Sequence, residues 1–291
     1  MDGISIIIPN YNTIKYLEEN IPFVISESQS CRFPTEILII DDGSTNKINY
    51  DGIESMNNNI KIVYTGKNKG FAGAVNYGIL LSRYSYVFLL NNDIKISSNI
   101  LEKLLFPFKI NKMTFAVQAN IASKEGKIYL NKIFPKYGII KVVYQEVKNI
   151  NELMEVDFVV AGAALFNKNK LIELGLFDEA FSPFYFEDVD VSIRAKQKNY
   201  KLYLRTDVVV FHNHPGSTIK NEYRNKWKVL HRRNYFKLNF RYCRLYKISK
   251  WYNYISTFLY AVNMMIKGDF SYIRGYFLAL KEIIKVKKGK I

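Results

Sequence analysis

The chain has 291 residues, 48% hydrophobic and 15% aromatic, which is enough to bury one large domain or a domain with an appendage. Its 42 Lys and Arg against 26 Asp and Glu give a formal charge of +16. That balance suits nucleic acid, an anionic membrane surface or phosphorylated substrates and selects none of them.

Cys31 and Cys243 form neither a zinc spacing nor a disulfide framework, so a reducing compartment is expected. The opening "MDGISIIIPNYN" has an acidic residue at position 2 and only a short apolar run, and does not read as a signal peptide. The stretch "YISTFLYAVNMMI" (254–266) is too short and too polar to span a bilayer.

In chain order, strands are expected at 5–9, 36–41, 60–65, 86–91, 156–166 and 201–211. Amphipathic helices are expected at about 13–29, 70–83, 97–109 and 187–198. Continuous apolar strands separated by helices predict an α/β fold with a mostly parallel sheet covered on both faces. After residue 219 the β pattern stops and the chain becomes helical, aromatic and basic. The expected division is therefore 1–218 for the sheet domain and 219–291 for a helical extension.

In open α/β sheets, ligands bind at the carboxyl ends of the strands. Polar residues cluster there: Pro9-Asn10-Tyr11-Asn12 after strand one, "DDGS" (41–44) after strand two and "NND" (91–93) after the fourth. Asp-Gly by itself also fits a plain turn. "NKGFAGAVNYGI" (68–79) opens a helix with glycines, which suits either a phosphate or close helix–sheet packing. It has neither the G-x-G-x-x-G spacing nor the Walker lysine. Asp93 and two amides offer oxygen ligands for a hard cation, and His212 and His214 stand at the end of the last strand.

"FYFEDVDVSIRA" (184–195) places Glu187, Asp188 and Asp190 within four positions. They fit the solvated first turn of a helix, or a general base held at a cleft. In such a helix Asp190 and Arg194 are spaced for an i,i+4 pair, and Phe186, Val189 and Ile193 share a core-facing stripe.

Taken in order, "SIIIPNYN", "ILIIDDGST", "NKGFAGAVNYGI", "FLLNND", "AGAALF" and "GLFDEAFSPFYFEDVDVSIRA", followed by "FH", resemble the family 2 glycosyltransferases across roughly residues 3–215. The resemblance implies a GT-A fold, a Rossmann-like, mostly parallel mixed sheet that binds nucleotide-sugar donors. It is nearest to bacterial rhamnosyltransferases and galactofuranosyltransferases of cell-surface polysaccharide assembly. It implies that Pro9, Tyr11, Asn12, Asp41 and Asp42 line the base and ribose pocket, and that Gly70, Gly73 and Asn76 border the donor diphosphate and sugar. Asn91, Asn92 and Asp93 match the family's Asp-x-Asp motif, with Asn91 standing where the first aspartate is usual. Asp93 and His212 would then hold Mn²⁺ or Mg²⁺. Asp188 matches the catalytic base, with Glu187 the alternative.

The implied partners are a UDP- or dTDP-sugar and a glycan or polyprenyl-linked acceptor, without nucleic acid. The aromatic, basic helices of 219–291 suit peripheral contact with the inner face of the cell membrane, or packing on the catalytic domain or in a homodimer. The competing classes are a nucleotidyltransferase, which would carry a glycine-rich loop after strand one, and a non-enzymatic binder of nucleic acid or another anionic polymer.

Overall fold

The computed structural model describes residues 2–46, 48–212 and 226–287; His214 lies outside them. The chain forms two compact units. The first comprises Met1–Asn131, Tyr144–Pro183 and Glu187–Thr218; the second comprises Lys132–Val143, Phe184–Phe186 and Ile219–Ile291.

The first unit is a nine-stranded sheet. Its strands are β1 (Ile4–Asn10), β2 (Thr35–Asp41), β3 (Ile60–Tyr64), β4 (Tyr86–Leu90), β5 (Ile94–Ile96), β6 (Thr114–Ile121), β9 (Leu153–Glu155), β10 (Ala163–Asn167) and β11 (Lys201–His212). The order is β3-β2-β1-β4-β10-β6-β11-β5, with β9 on the other part of β11. Strands β1 to β4 run parallel, β10 is antiparallel to both of its neighbours, and β11 is parallel to β6. Two reversals restore the direction, so β11 ends at the same edge as β1, β2 and β4. The predicted strand at 156–166 is regular only from Ala163, because 156–162 bends away from the ladder.

Both faces of the sheet are dry. Ile6 and Ile8 pack with helices α1 (Lys15–Ser30) and α4 (Ile100–Ile110), while Ile7, Leu38 and Ile40 pack with α3 (Gly70–Leu81). Successive residues of one strand thus enter opposite cores, which explains why these strands read as unbroken apolar runs. In α3, a Cβ on Gly78 would lie 2.7 Å from Ile7 Cγ2, so part of the glycine-rich string serves close helix–sheet contact. The short helices α2 (Asp51–Glu54) and α5 (Lys168–Glu173) join strands, and α6 (Glu187–Gln197) precedes β11.

Strands β7 (Tyr129–Lys136) and β8 (Ile139–Glu146) form a hairpin closed by Tyr137 and Gly138, both with positive φ (51° and 75°). Such two-residue turns match the twist of the flanking strands. In the second unit the hairpin tip meets helices α7 (Trp227–Tyr242) and α8 (Lys250–Ile266); α9 (Ser271–Lys287) completes the packing. The Asn239 amide accepts from the Ile140 N–H at 2.7 Å and donates to the Ile140 carbonyl at 3.3 Å, and Asn253 donates to the Gly138 carbonyl at 2.8 Å. Phe236, Phe240, Ala261, Tyr272, Tyr276 and Ala279 make the apolar core of this unit.

Asn239 is fully buried, so Asn239→Leu would leave the Ile140 N–H without its side-chain partner in a dry site, while the Ile140 carbonyl keeps the Tyr235 hydroxyl at 3.1 Å. A loss of roughly 1–3 kcal/mol for the orphaned N–H is expected, read as a lower denaturation midpoint with an unchanged m-value.

Candidate active site at the strand ends

Hydrogen bonds fix the edge where β1, β2 and β4 end. Asn92 Nδ2 donates to Asn10 Oδ1 (2.6 Å), Asn10 Nδ2 to the Tyr50 hydroxyl (2.7 Å), and that hydroxyl to Asp41 Oδ2 (2.7 Å). The Ser44 N–H closes on Asp41 Oδ1 at 2.8 Å. Burial, with the Asp41 carboxylate beside it, pushes the Tyr50 phenol well above its ordinary value and keeps it a neutral donor. Asn12, with φ 53°, accepts from the Thr45 N–H (2.8 Å) and hydroxyl (3.0 Å), while its own N–H donates to Ser44 Oγ (3.0 Å). Pro9 and Tyr11 flank this clasp and are half-buried.

Asp42 faces the next loop. Its Oδ1 accepts from the Lys69 N–H (2.9 Å) and the Thr65 hydroxyl (3.2 Å). Burial still dominates and pushes this carboxyl up to about 6. Gly43 between the loops has φ 67°, and any Cβ there would strike the Lys67 and Asn68 backbone.

The start of α3 is committed in part to other protein groups. Gly70 has φ 73°, a Cβ on it would lie 2.9 Å from the Pro183 carbonyl, and the Phe71 N–H donates to that carbonyl at 3.1 Å. A Cβ on Gly73 would clash with Lys69 Cβ at 2.5 Å. The Asn76 side chain is buried and pairs with both backbone groups of Phe177, donating at 2.8 Å and accepting at 3.0 Å. Asn76 therefore ties α3 to the segment after α5, while Asn12, Asp41, Asp42 and Asn92 share the strand-end network.

The carboxylates of "FYFEDVDVSIRA" meet the "NND" turn through two small residues. The Asn91 N–H donates to the Gly162 carbonyl at 2.9 Å, and a Cβ on Gly162 would lie 2.5 Å from the Asn91 amide. The adjacent Ala161 N–H donates to the Asp188 carboxylate, as does the Val189 N–H at 2.8 Å. Ser192 braces the same segment, donating to the Asp188 carbonyl at 2.7 Å and accepting from the Val159 N–H at 3.2 Å.

Burial raises the Asp188 carboxyl against the lowering effect of these bonds. Neighbouring Glu187 is raised further, by its own burial and then by the Asp188 charge. Glu187 Oε2 is buried and has no hydrogen-bond partner among the described residues. Asp190 instead makes the predicted pair, with Arg194 Nε at 2.8 Å.

Asp93 Oδ2 and His212 Nε2 lie 3.0 Å apart. The register explains the approach, since His212 pairs with Ile94, the residue after Asp93. One carboxylate oxygen and one imidazole nitrogen aimed at each other fit a divalent cation whose remaining ligands are phosphate oxygens and water. No group of three or more His, Cys, Asp or Glu suited to a metal occurs among the described residues, so the described chain supplies only part of such a shell.

Of the expected core-facing stripe, Val189 and Ile193 are buried on α6, but Phe186, though buried, is not part of that helix. Helix α6 starts at Glu187, and Phe186 precedes it with φ 76°, next to Tyr185 at φ 71°. Left-handed backbone at two bulky residues costs on the order of 1–3 kcal/mol each and persists only where surroundings hold it. Within the second unit Asn234 does so, donating to the Phe184 and Tyr185 carbonyls at 2.9 and 3.1 Å. The His231 ring packs edge-on against both Tyr185 and Phe186. Tyr50, Ala161 and Gly162 are site-supporting residues that sequence reasoning missed; "AGAALF" carried the only visible signal, a small-residue pair after an apolar run.

Residues 5–175 match the family described as Glycosyl transferase family 2. The chain belongs to that family, and the class of protein defined by fold and site is a glycosyltransferase. Among its relatives, the "Glycosyltransferase GlyG" of Streptococcus pneumoniae is 24% identical over 244 residues, covering 77% of this chain and 75% of that one. The poly-beta-1,6-N-acetyl-D-glucosamine synthase of Staphylococcus epidermidis is 30% identical over 211 residues, covering 69% of this chain and 48% of the synthase. The chain thus spans about half the synthase's length.

The crystal structure of GalNAc-T7 with UDP, GalNAc and Mn²⁺ superposes with TM-score 0.63 at 16% identity, over 86% of this chain and 54% of that one. Residues 1–349 of S. aureus TarS give TM-score 0.53 at 14% identity, over 88% and 91%. Both share the fold. Family membership removes the basis for the nucleotidyltransferase and polymer-binder alternatives.

Because the Asp42 pKa is raised, its neutral form is the one the fold favours. The associated stability is fully present below about pH 4 and is lost as pH rises through about 6. Asp42→Asn is therefore expected to stabilise the protein by roughly 1–2 kcal/mol at about pH 7.5 and far less at about pH 4.5, read by urea unfolding at both values.

Proposed function

We propose that the chain is an inverting glycosyltransferase. It would move a sugar, rhamnose or another hexose, from a UDP- or dTDP-sugar to a hydroxyl of a glycan or polyprenyl-linked acceptor during cell-surface polysaccharide assembly. The observation that carries this reading is the Ala161–Gly162 pair, which joins the Asp188 carboxylate to the turn bearing Asn91, Asn92 and Asp93. The poly-N-acetylglucosamine synthases among the relatives support a role in polysaccharide synthesis. The second unit would bring the protein to the inner face of the cell membrane.

Asp93 and His212 would hold Mn²⁺ or Mg²⁺, which when bound offsets the charge gathering on the leaving diphosphate. Pro9, Tyr11, Asn12, Asp41 and Asp42 would face the base and ribose. Gly70 and Gly73 would border the sugar diphosphate, and Asn76 holds their helix to Phe177. Asp188 takes the proton from the acceptor hydroxyl as that oxygen bonds to the anomeric carbon and the carbon–diphosphate bond breaks. Its raised pKa suits this task, since a base works best with a pKa near the operating pH. Glu187, favoured neutral beside it, leaves Asp188 as the group that ionises first.

Asp188→Asn should lower kcat by roughly 10²- to 10⁴-fold with donor affinity nearly unchanged. Normal turnover in that variant, or an NMR-assigned product that retains the donor's anomeric configuration, contradicts the mechanism. Asp93→Ala should abolish turnover and weaken nucleoside diphosphate binding in Mn²⁺, with His212→Ala acting in the same direction less severely. Activity that survives both EDTA and Asp93→Ala contradicts the metal role.

A further inference from the structure

Helix α8 is turned inside out. Its fully buried residues are Asn253, Thr257 and Ala261, with Tyr254, Tyr260 and Met264 partly buried beside them. The Asn253 amide donates to the Gly138 carbonyl while its buried Oδ1 has no partner among the described residues, and the Thr257 hydroxyl donates to the Asn253 carbonyl. Its outward residues are Trp251 (81% exposed), Ile255 (54%), Leu259 (60%) and Ile266 (76%), spaced to form one stripe. Between Trp251 and Ile266 there is no charged residue. A helix that faces water shows the reverse pattern, with apolar residues inward and charges outward.

The stripe continues onto α9. Phe258 lies 6.4 Å from Phe277, and Phe277, Leu278 and Ile284 are exposed alongside Arg274, Lys281 and Lys285. Lys247 and Lys267 flank α8 and are also exposed. Long cationic side chains at the rim of an apolar face can lay their stems along it and keep their heads at a polar boundary.

Charge identifies what lies opposite. Residues 219–291 hold 18 Lys and Arg against three acidic residues, whereas residues 1–218 hold 24 against 23, so nearly all of the +16 belongs to the helical end. Two of those three acids are engaged internally: Glu282 with Lys237 (2.7 Å) and Arg233 (3.2 Å), Asp269 with Arg232 (4.0 Å). A second copy would set like charge against like. A nucleic acid would find a stripe that carries no cation and is mostly aliphatic. No helix among the described residues is long and apolar enough to cross a membrane.

We propose that the outward faces of α8 and α9 form a docking surface that lies in the headgroup–acyl boundary of an anionic phospholipid bilayer. Trp251, Ile255, Leu259 and Ile266 enter the acyl side, and the flanking Lys and Arg meet lipid phosphates. This rests on the membrane contact in the functional reading above and names its face, its lipid charge and its depth.

The test uses the full chain with Trp227→Phe, which leaves Trp251 as the sole tryptophan. Vesicles of phosphatidylcholine with phosphatidylglycerol should shift Trp251 emission to the blue and allow quenching by brominated lipid. Phosphatidylcholine alone should do much less, and salt should weaken the anionic case. Leu259→Ser with Ile266→Ser removes outward groups only, so the circular dichroism should be unchanged while vesicle partitioning falls about ten-fold per residue.

Transfer to a water-soluble acceptor should be equal in the two proteins. An inert protein that still binds vesicles overturns the enzymatic reading and leaves the docking surface standing. The docking proposal is overturned if Trp251 emission ignores vesicles, if the double variant binds equally well, or if Trp251 is already blue-shifted in a vesicle-free dimer.

Discussion

A chain of side-chain hydrogen bonds, Asn92 to Asn10 to Tyr50 to Asp41, holds the working edge of the sheet together. Parallel strands deliver their carboxyl ends to one edge, where backbone groups lose their ladder partners. The network occupies that edge with side chains from three loops and does so in a largely water-free setting. In such a setting an unpaired amide costs more than a paired one returns, so the three loops stand or fall together. Everything further out is referenced to this frame: the Asn12 clasp, the Asp42 anchor on the Lys69 amide, and the turn that carries Asp93.

The same edge concentrates carboxyls that burial makes reluctant to ionise. Asp42, Glu187 and Asp188 are all raised, with desolvation the largest cause each time. Burying such groups lowers stability near neutral pH, and a structure built for stability alone would not gather them. They make sense where positive charge and a reacting hydroxyl arrive with the substrate. Asp190, three positions after Glu187, shows the contrast: it is fully buried too, but Arg194 neutralises it, which marks it as structural.

Much of this was legible in the chain. Strands β1 to β4 declare themselves as apolar runs, and their polar ends mark the edge before any geometry is known. The i,i+4 pair of Asp190 and Arg194 follows from spacing alone. What escaped depends on contacts remote in sequence. Tyr50 looks like a loop aromatic until Asn10 and Asp41 close on it, and Gly162 looks like packing until the Asn91 amide is seen against it. The Asn76 amide faces Phe177, about a hundred positions away, which a local motif cannot reveal.

Phe186 was misplaced because periodicity assumes that the helix begins before it, whereas two left-handed residues end at it. The β7–β8 hairpin was missed because Tyr137-Gly138 is a weak turn signal. Composition suggested amphipathic helices in 219–291, but which side of α8 turned outward required the buried Asn253 and Thr257.

In the proposed mechanism, Asp93 and His212 on one side, and Asp188 on the other, flank a sugar bound as a nucleoside diphosphate. The most direct test is a crystal structure with an unreactive UDP- or dTDP-sugar analogue and Mn²⁺, read by anomalous scattering. The prediction is a manganese peak within coordination distance of both Asp93 and His212, with the Asp188 carboxylate facing the anomeric carbon from the side opposite the diphosphate. A manganese peak away from that pair, or Asp188 on the same side as the leaving group, would contradict it.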